Sequence, residues 1–245
     1  MLDDNAALKC ARLSQQVYQD FASIRFAACA PDVKVTLIES KDIGDTRTDT
    51  QVAVLYEPAE DTVFVVFRGT EKGLDWINNV QFRQQVYPYG DDSSTDVRFH
   101  RGFMEAYLAV RDRVLDVVRQ YPKSPITVTG HSLGGALATI GALDLQFNIT
   151  KKTGQPLDVY TFGAPRVGNS ALVNSFRQRV PNSYRFVYGW DVVTRVPRSW
   201  QGFAHVPEEQ LLGNLWTWQI VSRRVSDHQI SLYVAALEEK TKSGN

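Results

Sequence analysis

A serine hydroxyl becomes a useful nucleophile only when a base takes its proton and the backbone presents it to the substrate. Residues 130–135 read Gly130-His131-Ser132-Leu133-Gly134-Gly135, a G-x-S-x-G pattern. An apolar run, Ile126–Thr129, precedes it, and an Ala-rich stretch, ALATIGALDL, follows. A strand before and a helix after make this pattern a sharp elbow that exposes the serine. The flanking positions of so tight a turn need residues without a β-carbon, which Gly130 and Gly134 supply. The helix N-terminus behind the turn favours the negative charge that develops during acyl transfer. The expected chemistry is that of a serine hydrolase with Ser132 as nucleophile.

The rest of the chain must carry that elbow. The first 25 residues read as an amphipathic helix with Ala7, Cys10, Ala11, Ser14, Val17, Tyr18 and Phe21 on one face. Two β-like runs follow, Val33–Ile38 and Gln51–Tyr56, and then Thr62–Phe67 (TVFVVF), continuously apolar as in a central strand covered on both faces. A long helix is expected over Arg101–Gln120, with Phe103, Ala106, Tyr107, Val110, Val114, Val117 and Val118 as its stripe. From 126 onward the order is strand 126–129, helix 132–147, strand 157–162, helix 169–180 and strand 184–188. Such alternation implies an α/β fold with a mostly parallel central sheet flanked by helices. Residues 189–227 look irregular, a last helix is expected over His228–Glu239, and the tail KTKSGN should fray. No linker or repeat interrupts the pattern, so residues 1–245 are expected to form one domain.

Composition narrows the partners. Lys+Arg and Asp+Glu both number 27 in 245 residues, so the formal net charge is zero. Without a clustered cationic surface, nucleic acid is not expected as a partner. No apolar stretch is long enough for a membrane span. The N-terminus lacks the apolar run of a signal peptide, so the chain as written is expected in the cytoplasm, or outside the cell if it is a mature form. Cys10 and Cys29 are expected as two buried thiols, a disulfide between them being the alternative. The four histidines show no zinc spacing, so no metal site is expected. Asn148-Ile149-Thr150 is a formal glycosylation sequon.

GHSLGGALA at 130–138, FRGT at 67–70, FHRGFMEAY at 99–107 and YTFGAPRVGN at 160–169 together resemble the class 3 lipases, the family of filamentous-fungal triacylglycerol lipases and feruloyl esterases. The match runs from about Val63 to His228. The resemblance implies an α/β-hydrolase fold, carboxylic ester hydrolysis and no cofactor. In that fold the order along the chain is Ser, then acid, then His. That order excludes His100, and His131 must turn away from its neighbour Ser132. Asp191, just past the strand Tyr184–Tyr188, is the expected acid, because α/β sites assemble at carboxyl ends of strands. Asp144, inside the nucleophile's own helix, and Asp158, at the start of a strand, point elsewhere. In Asp191-Val192-Val193-Thr194-Arg195-Val196-Pro197, Thr194 stands where the family usually has proline, which suggests a less rigid loop. His228 is the expected base, held at the edge of the last helix by a cap from Ser226 or Asp227. His205 and His100 resemble structural histidines of the family.

The resemblance also assigns the oxyanion hole to the backbone N–H groups of Leu133 and Thr70. Residues 71–90 are the expected lid. Its short helix, Gly73–Val80, carries Leu74, Trp76, Ile77 and Val80 toward a lipid surface. The expected substrate is an acylglycerol or another ester, with transient contact at a lipid interface. Rival readings are a feruloyl-type or short-chain esterase, an A-type phospholipase, and a non-catalytic interaction protein on the same scaffold.

Overall fold

The computed structural model describes residues 2–40, 49–70, 83–86, 96–213 and 226–243. Among them, helix α1 (Asp4–Gln16) is followed by strands β1 (Lys34–Glu39), β2 (Gln51–Glu57) and β3 (Thr62–Phe67), then by a small ribbon of β4 (Gln84–Val86) and β5 (Arg98–His100). Helix α2 (Arg101–Val118) leads to β6 (Ile126–His131), α3 (Leu133–Leu145), β7 (Leu157–Phe162), α4 (Ser170–Arg179), β8 (Ser183–Tyr188), β9 (Glu209–Leu212) and α5 (Ile230–Ser243). Seven strands form one sheet in the order β1-β2-β3-β6-β7-β8-β9. β1–β2 and β2–β3 pair antiparallel, and every pairing from β3 to β9 is parallel.

Helices cover both faces, which explains why the central strands are apolar at successive positions. In β3, Val63, Val65 and Phe67 enter the core under α2 and α3, while Phe64 and Val66 enter the one under α1 and α5. All five are buried, each worth roughly 1.5–3 kcal/mol over an exposed position. The parallel register aligns the carboxyl ends: Phe67 of β3 sits opposite Gly130 of β6, and His131 opposite Phe162 of β7. The loops after β3, β6, β7 and β8 therefore leave the sheet along one rim, where a site can assemble.

The structure departs from the sequence reading at the C-terminal side. The stretch read as irregular contains β9, whose four residues EQLL are too short and too polar to stand out. The last helix begins at Ile230, two residues after His228, and runs to Ser243 instead of fraying after Glu239. Packing on α1 extends it: Lys240 Nζ lies 2.7 Å from Asp4 Oδ1 and Arg12 Nη2 2.8 Å from Glu238 Oε1. Cys10 and Cys29 are free thiols, but only Cys10 is fully buried. Burial pushes the Cys29 thiol up to about 12 and the Cys10 thiol higher, so neither is a ready nucleophile. The sequon amide is engaged within its own helix, Asn148 Nδ2 donating to Asp144 O (3.0 Å) and Oδ1 (2.9 Å). Among the described residues no helix is long and apolar enough to cross a membrane.

Candidate active site

The elbow between β6 and α3 is built by crowding. Ser132 has φ 59° and ψ −129°, in the left-handed region that a non-glycine residue enters only when its surroundings force it. A Cβ at Gly130 would collide with the backbone of Gly134, and one at Gly134 with the backbone of Phe67, Arg68 and Gly69. The start of α3 thus lies directly against the loop after β3, at Arg68 and Gly69. The Ser132 N–H donates to Phe162 O at 2.9 Å and anchors the turn to β7.

Ser132, His228 and Asp191 form one hydrogen-bonded chain. His228 Nε2 is 2.8 Å from Ser132 Oγ, and His228 Nδ1 is 2.8 Å from Asp191 Oδ2. A carboxylate only accepts, so Nδ1 carries the proton and leaves Nε2 to accept from the serine hydroxyl. The Asp191 side chain is wholly buried, and burying a charge is costly unless donors replace water. Here Val193 N donates to Oδ1 at 2.9 Å, and Tyr233 Oη donates to Oδ2 at 2.5 Å alongside the imidazole. Burial and the nearby Asp191 charge push the Tyr233 phenol well above its ordinary value, so it stays protonated and donates. Gly163, at φ 58°, clears the space: a Cβ there would lie 2.7 Å from Asp191 Oδ2 and 3.0 Å from His228 Nδ1.

His131 turns away from Ser132 and becomes a brace. Its Nε2 is 2.7 Å from His228 O, and its Nδ1 is 2.9 Å from Tyr18 Oη. Burial first, and the neighbouring His228 second, hold its pKa well below the ordinary value, so the ring is neutral with one N–H. Because His228 O only accepts, Nε2 donates and Nδ1 accepts from Tyr18. Tyr18 also fills the space beside Gly69, where a Cβ would meet its hydroxyl. Arg68 fastens this end of α1 by donating to Tyr18 O (3.2 Å) and Gln19 O (3.3 Å).

The residues set aside on sequence grounds have other work. Asp144 is buried and accepts from Tyr107 Oη (2.8 Å) and Arg111 Nε (2.9 Å). Asp158, on β7, has its pKa raised by burial. His100 caps α2, its Nδ1 accepting from Phe103 N at 3.3 Å, and burial drives it down to about 4. His205 Nε2 donates to Thr194 O; burial, then the Arg185 charge, drive it down to about 3, so it too is neutral. Beside His228 the Asp227 side chain reaches across to the acid loop. Asp227 Oδ2 accepts from Trp190 N at 3.0 Å, tying the loop of the base to the loop of the acid. Leu74, Trp76, Ile77 and Val80 lie outside the described residues, as does most of 71–90; only 83–86 are described there, as β4 and the residue before it.

Sequence reasoning missed Tyr18, Tyr233 and the bracing role of His131. One signal was available: a buried carboxylate needs several donors, and Tyr233 follows His228 closely in the chain. Among the described residues no cluster of His, Cys, Asp or Glu is arranged to hold a metal ion. What the site presents is a hydroxyl, an imidazole and a carboxylate in series at a helix N-terminus, an arrangement suited to general-base activation of an alcohol.

Comparison with known proteins identifies the family. The family model described as "Lipase (class 3)" matches residues 64–200, more than half of the chain. A lipase from Rhizomucor miehei is 36% identical over 165 residues, 66% of this chain and 44% of that protein. A secreted mono- and diacylglycerol lipase from Fusarium solani is 34% identical over 191 residues, 76% of this chain and 55% of that protein. The chain spans about half the length of these curated relatives. A solved triacylglycerol lipase, described as having a serine protease triad as its catalytic centre, matches with a TM-score of 0.72 and 31% identity, covering 86% of this chain and 80% of that one.

Proposed function

The chain belongs to the class 3 lipase family, with its α/β-hydrolase fold, and from that premise we propose that it hydrolyses carboxylic esters of the acylglycerol type through an acyl-enzyme on Ser132. The observation that carries the reading is the pair of 2.8 Å contacts joining Ser132 Oγ, His228 and the buried Asp191. His228 Nε2 takes the serine proton as Oγ attacks the ester carbonyl, and Asp191 stabilises the imidazolium that forms. The N–H groups of Leu133 and Thr70 are the proposed oxyanion donors, each worth roughly 3 kcal/mol in the transition state. His228 then protonates the leaving alcohol, and water attacks the acyl-enzyme by the reverse path. Residues 1–245 are read as one catalytic domain.

Acylglycerols are favoured as substrates because the Fusarium solani relative is named a mono- and diacylglycerol lipase and the solved neighbour a triacylglycerol lipase. Residues 71–90 are proposed as a lid, on the strength of their apolar pattern at Leu74, Trp76, Ile77 and Val80 and their place directly after Thr70. Contact with a lipid interface is proposed with it. The test has two steps. Incubation with a fluorophosphonate should label Ser132, located by peptide mass spectrometry, and turnover of p-nitrophenyl esters of rising chain length should extend to emulsified triacylglycerol. Ester turnover confined to short, soluble acyl chains would make the protein an esterase, and an unlabelled Ser132 would end the proposal. Interfacial action adds a signature: the rate on a partly soluble ester rises sharply past its solubility limit, and Trp76→Ser blunts that rise while sparing a soluble ester.

A further inference from the structure

The loop that delivers Asp191 has every main-chain carbonyl from 191 to 197 hydrogen-bonded. Inside the loop, Asp191 O accepts from Thr194 Oγ1 (2.8 Å), Val192 O from Arg195 N (3.0 Å) and Val193 O from Val196 N (3.2 Å). The next four carbonyls are all held from outside it, by only two residues. His205 Nε2 donates to Thr194 O. Arg166 donates through its backbone N–H to Val196 O (2.8 Å), and through Nη1 to both Arg195 O (2.5 Å) and Pro197 O (2.8 Å). Arg166 lies in the loop between β7 and α4, so the clamp ties the acid loop to the sheet rim from which Gly163 also emerges. Arg166 Nη1 carries two N–H groups, one for each of the two carbonyls it meets, and the single N–H of the neutral His205 ring serves the third.

From this geometry we infer that Thr194, Arg166 and His205 are positioning residues: they fix the direction of the Asp191 carboxylate toward His228 Nδ1. Thr194 is the pivot, because it is the only one of the three in contact with Asp191. Its hydroxyl closes the turn on Asp191 O, while its own carbonyl is the point at which His205 grips the loop. Thr194 is 5% exposed, so no water stands in for the hydroxyl when it is removed. Without that bond the turn relaxes about Asp191, and the carboxylate loses its line to the imidazole. A displacement of about 1 Å in a catalytic group costs up to roughly a hundred-fold in rate.

The inference rests on the hydrolase reading above, and its test separates the two. Thr194→Val keeps shape and removes the hydroxyl; Thr194→Ser keeps the hydroxyl. In ester hydrolysis, Thr194→Val should lower kcat by roughly ten-fold or more with KM unchanged, and Thr194→Ser should restore it to within about two-fold. Arg166→Lys, whose shorter side chain ends short of the place where Nη1 meets the two carbonyls, should show the same split; should Thr194→Val fail to fold, this variant decides the matter. Proton NMR gives a readout independent of turnover. The His228 Nδ1–H, held by Asp191 in the resting protein, should give a downfield resonance that persists in Thr194→Ser and broadens or moves upfield in Thr194→Val and Arg166→Lys. Folded Thr194→Val and Arg166→Lys proteins with wild-type kcat and an unchanged resonance would overturn the inference. A resonance that responds in a protein without ester turnover would leave the positioning role standing and remove the hydrolase reading instead.

Discussion

At the serine end of the site the backbone is fixed by collision; at the carboxylate end it is fixed by donation. Gly130 and Gly134 press against each other and against the strand next door, leaving Ser132 one conformation, at φ 59°. At Asp191 the close approach, to Gly163, is made by the carboxylate and not by backbone against backbone, and the loop's place depends on Arg166, Thr194, His205 and Tyr233, drawn from separate parts of the chain. Crowding is local, all-or-none and insensitive to pH. Donation is distributed, so each donor can be lost at modest cost, and part of it titrates. The two ends should therefore fail differently.

The largest expected effect is chemical. Ser132→Ala should fold normally, since a small residue suits the elbow, and should lower kcat by at least ~10⁴ with loss of fluorophosphonate labelling. Substantial turnover in a folded Ser132→Ala protein would show that the elbow carries no nucleophile.

Next comes the steric claim. Gly134→Ala forces a methyl into the backbone of Phe67 and Arg68, atoms that cannot swing aside as a side chain would. Overpacking of this kind costs about 3 kcal/mol, which for a chain of this size lowers Tm by roughly 10 °C. A Gly134→Ala protein that melts with wild type would mean that the elbow is not held by crowding.

Tyr233→Phe probes the other end. It removes one donor from Asp191 Oδ2 and leaves the His228 and Val193 N–H bonds. A hydrogen bond to a charged group contributes about 1.5–3 kcal/mol, so kcat should fall by roughly ten-fold, with a moderate loss of Tm. Complete inactivation would show that the acid is held by one residue instead of several.

This contrast also explains what could be read from the sequence. The elbow was legible because its causes are neighbours: two glycines, a strand before and a helix after. The central strands were legible because burial on both faces leaves an unbroken apolar run, as in TVFVVF. Asp191 and His228 were legible as residue types at the right places after strands and before a helix. Their supports were not. Tyr18 sits in the turn just past α1, 113 residues from its partner His131, and nothing local marks it as different from any other tyrosine that follows a helix. Thr194 read as a sign of a looser loop; the structure shows its hydroxyl and carbonyl both engaged. β9 escaped because four residues at a sheet edge carry too little pattern to distinguish strand from loop.

The smallest expected effect is the titration of the donated end. His205 in the fold has its pKa pushed down to about 3 by burial and Arg185, against an ordinary value of 6.5. The unfolded chain therefore binds the proton first as pH falls. Stability owed to the neutral ring is fully present above about pH 6.5 and is lost progressively toward pH 3. One fully buried proton site would contribute ~1.4 kcal/mol per pH unit, and the half-buried residue gives less because solvent screens it. His205→Gln keeps a neutral donor for Thr194 O but cannot titrate. At pH 8 the variant should melt close to wild type or slightly below it. Between pH 6 and 4 its Tm should fall less steeply, so that the two curves converge and then cross. Parallel Tm curves from pH 8 to pH 4 would show that His205 contributes no proton linkage, and that the acid loop is as indifferent to pH as the elbow.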